Sequence, residues 1–198
     1  MYVVTIDQRA SRRKPDLVDG LVERLNREYS PVRPFERTAG DELQGVFDDG
    51  RGVAALVLDV AATGEWSIGV GVGSVRLPLP RQTRAGAGEA FELARDAVER
   101  AKSSPGSLAL NARDPRIERV EAELQLIAGV DARRSPASQE AGLLVAGGRS
   151  QKEAAGLLGV SQQAVSSRLA SGLWQQCRRL ERHAAEALHA LDAPDGGE

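Results

Sequence analysis

Residues 151–169 read QKEAAGLLGVSQQAVSSRL, and this stretch carries the most specific structural pattern in the chain. Two adjacent small residues, Ala154 and Ala155, allow two helices to cross closely. Gly159 follows where a tight turn would need a positive φ, which glycine adopts without strain. The apolar residues expected to lock the two helices together are Leu157, Leu158, Val160, Val165 and Leu169. The pattern predicts a helix-turn-helix.

Capping residues indicate where these helices begin. Gly147 and Gly148 are expected to end the preceding helix. Ser150 and Glu153 have the S-x-x-E spacing of a capping box, in which each side chain accepts a hydrogen bond from the other residue's backbone N–H. Ser161 is placed to cap the second helix. The C-terminal part, residues 135–191, is therefore predicted to be wholly helical.

The polar face of the second helix is the candidate contact with double-stranded DNA. Short polar and amide side chains on such a helix can hydrogen-bond base edges in the major groove, and nearby cations can reach phosphates. The candidate residues are Arg149, Ser150, Lys152, Ser161, Gln162, Gln163, Ser166, Ser167 and Arg168. Arg168 stands where many such motifs carry an apolar residue, so Leu169 is expected to close the core instead. The alternative is an ordinary helical hairpin with a solvated polar face.

A further helix follows the motif. Its apolar residues recur in steps of four and three, as in a short coiled-coil seam, at Leu173, Cys177, Leu180, Ala184, Ala187 and Leu191. The seam could pair with a second copy, giving a homodimer with two recognition helices, or it could pack back on its own chain. Residues 192–198 form a short polar tail that is expected to be disordered.

The N-terminal half predicts an α+β fold. Strands are expected at 2–6, 32–38, 43–47, 66–73 and 107–110, and helices after Pro15, at 52–62 and at 88–102. Glycines alternate with apolar residues in 66–73, which indicates a strand in close contact with a neighbour. The order is the β-α-β-β-α-β of a ferredoxin-like domain with an added helix and strand. The predicted boundaries are 1–113 for this domain, 114–134 for a connecting helix and linker, and 135–191 for the helix-turn-helix domain.

Composition limits the classes of protein that fit. With 26 basic and 28 acidic residues among 198, the net charge of −2 gives no general attraction to nucleic acid. Residues 131–188 nevertheless carry eight basic and five acidic side chains. A single cysteine excludes an intrachain disulfide. No signal peptide or membrane span is recognisable, so a cytoplasmic location with no membrane partner is expected.

Carboxylates form a second candidate site. Asp7 ends the first strand, and Asp41 and Glu42 lie at the tip of a hairpin around Gly40. In a split βαβ fold these ends are neighbours, and clustered carboxylates can hold a divalent cation such as magnesium against phosphates. The alternative is that Asp7 caps a turn and the hairpin tip is simply polar.

Three segments carry a family resemblance: YVVTIDQRASRR at 2–13, RTAGDELQGVF at 37–47 and GEAFELARDAVERAK at 88–102. Together they resemble the SatD family of bacterial DNA-binding proteins. The resemblance implies a palm-like domain, similar in outline to GGDEF and class III nucleotide cyclase domains, joined to the helix-turn-helix. It also implies nucleotide contacts at Ser11, Arg12, Gly40, Gln44 and Arg95. Compared with an active diguanylate cyclase, the hairpin lacks one glycine and the final Phe, and no phosphate-binding lysine is identifiable after Asp7.

The sequence therefore predicts a sequence-specific DNA-binding transcription regulator whose palm-like domain dimerises or senses a nucleotide-like ligand. The alternative is a nucleotidyl cyclase-like or other metal-dependent nucleotide-processing enzyme targeted by a helix-turn-helix. A third reading makes the first domain a purely structural dimerisation platform.

Overall fold

A computed structural model describes residues 1–191, and the predicted tail at 192–198 lies outside them. The fold is α+β, as predicted, with a five-stranded mixed sheet and eight α-helices in this part of the chain. The elements are β1 Tyr2–Gln8, α1 Val18–Glu28, β2 Arg33–Arg37, β3 Glu42–Phe47, α2 Gly50–Ala61, β4 Trp66–Val72, α3 Glu89–Ala101, β5 Leu108–Ala112, α4 Ile117–Asp131, α5 Pro136–Ala146, α6 Gln151–Leu158, α7 Gln162–Ser171 and α8 Trp174–Ala190. Between residues 1 and 191, no helix is long and apolar enough to cross a membrane.

The strands lie in the order β2-β3-β1-β4-β5. Neighbours run antiparallel except β4 and β5, which are parallel and connected through α3. In the register of the central strands, Asp7 pairs with Glu42 on one side and with Ser67 on the other. All five predicted strands are present, each within about two residues of its expected bounds, and the largest differences are at the ends of β1 and β5.

One face of the sheet is covered by α3, which approaches unusually closely. A Cβ atom on Gly71 would lie 2.1 Å from the carbonyl oxygen of Ala90, and one on Gly69 would lie 2.2 Å from the backbone nitrogen of Val98. Buried alanines on α3 face the sheet, at Ala90, Ala94, Ala97 and Ala101. The predicted close neighbour of this glycine-rich strand is therefore α3.

The other face carries the main core, under α1, α2, α4 and α8. Helix α4 does more than connect two domains, because Ile117, Val120, Leu124 and Ile127 are buried in the same core as the strands. The stretch expected as a connecting helix and linker is thus largely a core helix, since its apolar side packs on β5 and α8.

Helix α8 returns to this core after the three helices that precede it. Cys177, Ala184 and Leu188 are buried there, and Leu180, Ala187 and Leu191 pack partly buried beside them. The hydroxyl of Tyr2 donates to the carbonyl oxygen of Leu188 at 2.9 Å. Of the two arrangements open for the apolar seam, the structure has the intramolecular one.

Candidate functional site

Helices α5, α6 and α7 form a compact unit with its own small core. Its buried residues are Ala141, Ala154, Ala155, Val165, Leu169 and Trp174, with Leu158 and Val160 partly buried beside them. The prediction for Leu157 was wrong, because its side chain is 65% exposed. Helix α6 turns Ala154, Ala155 and Leu158 inward, and Trp174 from α8 supplies the bulk of this core. Trp174 lies directly on Gly142, where an added Cβ would come within 2.3 Å of the indole ring.

The predicted capping residues are confirmed. Ser150 accepts a hydrogen bond from the Glu153 N–H at 3.2 Å, and Glu153 accepts one from the Ser150 N–H at 2.8 Å. The Ser150 N–H and hydroxyl both donate to the Glu153 carboxylate, and these two hydrogen bonds lower the pKa of Glu153. Gly159 ends α6 with φ 64°, and Ser161 accepts from the Ala164 N–H at 3.1 Å. These caps define both ends of α6 and the start of α7.

The outer face of α7 is polar and exposed. Gln162, Gln163, Ser166 and Ser167 are all exposed, while Arg168 is half-buried at the edge of the face and Leu169 closes the core. Arg149, Lys152 and Arg168 form no ion pair with any residue in 1–191, although the charge of Arg149 contributes to lowering the pKa of Glu153. This surface combines exposed amide and hydroxyl side chains with three cations outside any ion pair of the described chain.

A buried arginine joins this unit to the rest of the protein. The side chain of Arg134 is 4% exposed and forms an ion pair with Asp131 at the end of α4. Its Nε donates to the carbonyl oxygen of Gly172 at 2.9 Å, and its guanidinium carbon lies 4.3 Å from the centre of a Trp174 ring. Burial raises the pKa of Asp131, and the charge of Arg134 opposes that rise. This contact could not be predicted from local sequence patterns, because Trp174 lies forty residues further along the chain.

A second site is an open cleft of about 510 Å³ at the end of β1. It is lined by Asp7, Gln8, Ala10, Ser11, Arg12, Arg13, Asp41 and Lys102. Gln8 shapes one wall, because its amide donates to the Pro15 carbonyl at 2.7 Å and accepts from the Leu17 N–H at 3.0 Å. The predicted Asp7, Ser11, Arg12 and Asp41 therefore meet in one place.

Three of the residues implied by the family resemblance do not line this cleft. Gln44 is buried, and its amide donates to the Thr5 hydroxyl at 2.9 Å. Arg95 is exposed on α3, and Gly40 lies at the hairpin tip with φ 58°. Gln44 faces inward because it pairs in register with Thr5 at the centre of the sheet.

Lys102 is a cleft residue that sequence reasoning missed. Its ammonium lies 3.0 Å from a carboxylate oxygen of Asp7 and 2.7 Å from one of Glu99. Burial raises the pKa of Asp7, the hydrogen bond from Lys102 lowers it, and the charge of Asp41 raises it further. No phosphate-binding lysine is identifiable in the sequence after Asp7, whereas the fold brings Lys102 to it from the C-terminal end of α3.

The carboxylates do not assemble into a metal site with three ligands. Across residues 1–191, no group of three or more His, Cys, Asp or Glu side chains is arranged to hold a metal ion. Lys102 lies beside Asp7, and the carboxylate of Glu42 accepts from the Thr38 hydroxyl at 2.6 Å. The predicted magnesium ligands Asp7, Asp41 and Glu42 thus have other partners or stand apart.

The two sites differ in the chemistry they offer. The face of α7 is a convex polar surface flanked by cations, which suits a large polyanion. The cleft is concave and carries three basic residues, Arg12, Arg13 and Lys102, opposite two carboxylates. Comparisons of the chain with protein-family models, with curated proteins and with solved structures find no match.

Proposed function

We propose that this protein binds double-stranded DNA through α7 and acts as a transcription regulator. The observation that carries the proposal is the exposed Gln and Ser face of α7, flanked by Arg149, Lys152 and Arg168 without ion-pair partners in the described chain. Helix-turn-helix proteins place such a helix in the major groove, with base contacts from its N-terminal residues. The caps at Ser150 and Ser161 fix the residues at which α6 and α7 begin, which supports that contact.

The sheet domain fits the palm-like part of this proposal. The order β2-β3-β1-β4, with every neighbour antiparallel and two helices in the connections, supports a ferredoxin-like arrangement, which α3 and β5 would extend at one edge. The resemblance to the SatD family of DNA-binding proteins supports the same combination. A cytoplasmic location accords with access to DNA.

The test is binding to a site selected from random duplexes, measured by fluorescence anisotropy at several salt concentrations. Gln163→Ala and Ser167→Ala remove side chains from the centre of the exposed face, and each should weaken binding to the selected site by about 1–3 kcal/mol. Arg149→Ala and Lys152→Ala should weaken binding to all duplexes alike and reduce its salt dependence.

A matched control is Gln175→Ala, which removes the same type of exposed side chain from α8. This variant should bind as the parent does. Equal affinity of the Gln163→Ala/Ser167→Ala double variant and the parent for the selected site would contradict the assignment of α7, provided circular dichroism shows an unchanged fold.

The cleft supports a second candidate function, which is sensing of a phosphate-bearing, nucleotide-like ligand. The specific observation is that Ser11, Arg12, Arg13 and Lys102 line one cavity. Calorimetric titration of nucleoside triphosphates, with and without magnesium, should show binding that Lys102→Met weakens. Arg84→Ala, an exposed arginine outside the cleft, is the control. Steady formation of a cyclic nucleotide, lost in Asp7→Asn, would instead favour the enzyme alternative.

A further inference from the structure

The outward face of α4 has an exposed apolar centre and opposite charges at its ends. Along this face lie Glu118, Ala122, Leu126 and Gly129, and Arg133 continues it in the turn that follows Asp131, with a spacing of three or four residues throughout. Leu126 is 60% exposed. A groove of about 530 Å³ runs beside the helix and is bordered by Pro105 and Gly106. An exposed leucine set between small residues leaves apolar surface in water that a partner helix could cover.

The residues on this face are complementary to the same face of a second copy. If two α4 helices lie antiparallel about a point between Gln125 and Leu126, Glu118 of one copy meets Arg133 of the other, and Ala122 meets Gly129. Gln125 then meets Leu126. All three pairings share one midpoint, as a two-fold symmetric interface requires.

The charged ends of the face are exposed and open to an ion pair with a second copy, although the Arg133 guanidinium donates a hydrogen bond to the Gly129 carbonyl oxygen at 3.3 Å. Neither Glu118 nor Arg133 forms an ion pair with any residue in 1–191, whereas the neighbouring Arg119 and Glu123 pair with each other at 2.8 Å. A parallel arrangement would instead bring like charges together at both ends, so the charges specify direction as well as position.

We propose that the protein forms a two-fold symmetric homodimer through antiparallel packing of α4 against α4 of a second copy. The small side chains at 122 and 129 let the two backbones approach closely once the Arg133 guanidinium, which lies 3.6 Å from where a Cβ on Gly129 would be, turns to Glu118 of the second copy. Leu126 fills the centre. The three-helix unit follows directly on the C-terminal end of α4, so the dimer carries one such unit at each end of a helix pair about 20 Å long. The proposal does not rest on DNA binding, because the surface is defined by α4 alone.

Engineered disulfides test the register. The Ala122→Cys/Gly129→Cys double variant places the two cysteines within one chain about 10 Å apart, too far to pair with each other, but next to each other across the proposed interface. Mild oxidation should give a covalent dimer in this double variant. Each single variant should cross-link at least about tenfold less, because identical positions lie about 10 Å apart across the axis. Cys177 is buried and present in all three proteins.

Charge exchange tests the direction. Glu118→Arg and Arg133→Glu should each weaken dimerisation about tenfold or more, measured by sedimentation without DNA, and the double exchange should restore it. Leu126→Glu should give monomers. Leu77→Glu introduces the same charge at a leucine that is 74% exposed on a distant loop, and it should leave the mass unchanged.

Several outcomes would overturn the proposal. These are a monomeric parent at all concentrations, a dimer insensitive to Leu126→Glu, and equal cross-linking of the single and double cysteine variants. Because the mass is measured without DNA, each of these outcomes is distinct from a failure of the DNA-binding proposal.

Discussion

Gly71→Ala should destabilise the protein strongly, because β4 and α3 leave no room for a methyl group. The added Cβ would lie 2.1 Å from the Ala90 carbonyl oxygen and 2.4 Å from the Ala94 nitrogen, both backbone atoms. To restore ordinary contact distances, α3 would have to move outward by about 1 Å. A gap of that size would cost each affected contact between α3 and the sheet up to about half of its dispersion energy. Forced overpacking of this kind costs about 1–3 kcal/mol, and we expect a loss of about 3 kcal/mol or more since neither contact atom can rotate away.

Urea unfolding followed by far-ultraviolet circular dichroism measures this loss. The control is Gly20→Ala, the same substitution in α1, where an added Cβ would meet no atom within 4 Å. Gly20→Ala should raise stability by up to about 1 kcal/mol, because alanine favours a helix over glycine. A Gly71→Ala variant as stable as the parent would contradict the close packing of α3 on β4.

Two further predictions concern α8 and the capping box. Leu188→Ala removes a fully buried side chain of α8 and should lower the free energy of unfolding, measured in urea, by about 2–5 kcal/mol. Leu77→Ala, on an exposed loop, should have little effect. Equal effects of the two substitutions would contradict the packing of α8 on the core. Glu153 has a lowered pKa in the folded protein, so its stabilisation is present above its ordinary pKa of 4.5 and is lost as the pH falls through the lower folded value. The difference in melting temperature between the parent and Glu153→Gln should therefore shrink below about pH 4, and a difference that does not depend on pH would contradict an ionic role for Glu153.

Local signals in the sequence predicted local structure well. The bounds of β4 and α3 follow from alternation and helical spacing within a single segment. The caps at Ser150, Gly159 and Ser161 depend on residues at most four positions away. The close approach of a neighbouring element to β4 could also be predicted, since glycines at alternate positions of a strand leave space that only a neighbouring backbone can fill.

Contacts between distant segments could not be predicted in this way. Lys102 reaches Asp7 from the far end of α3, and Arg134 stacks on Trp174 across the whole three-helix unit. The resemblance implied a nucleotide contact for Gln44, but pairing with Thr5 turns its amide into the sheet. An apolar seam in α8 is equally compatible with a partner chain and with its own core, because the spacing of residues does not specify what covers them.

The packing of α8 on the sheet domain has a consequence for the order of events during synthesis. Tyr2 is synthesised long before Leu188, yet the carbonyl oxygen that its hydroxyl binds belongs to Leu188. Until Leu188 emerges, the apolar sides of α2 and α4 that α8 will cover face water or a chaperone. The three-helix unit, which precedes α8 in the chain, has already been made by then. The small core of the three-helix unit can therefore form before the large core is complete, and β1 is covered by α8 only after the three-helix unit has been made.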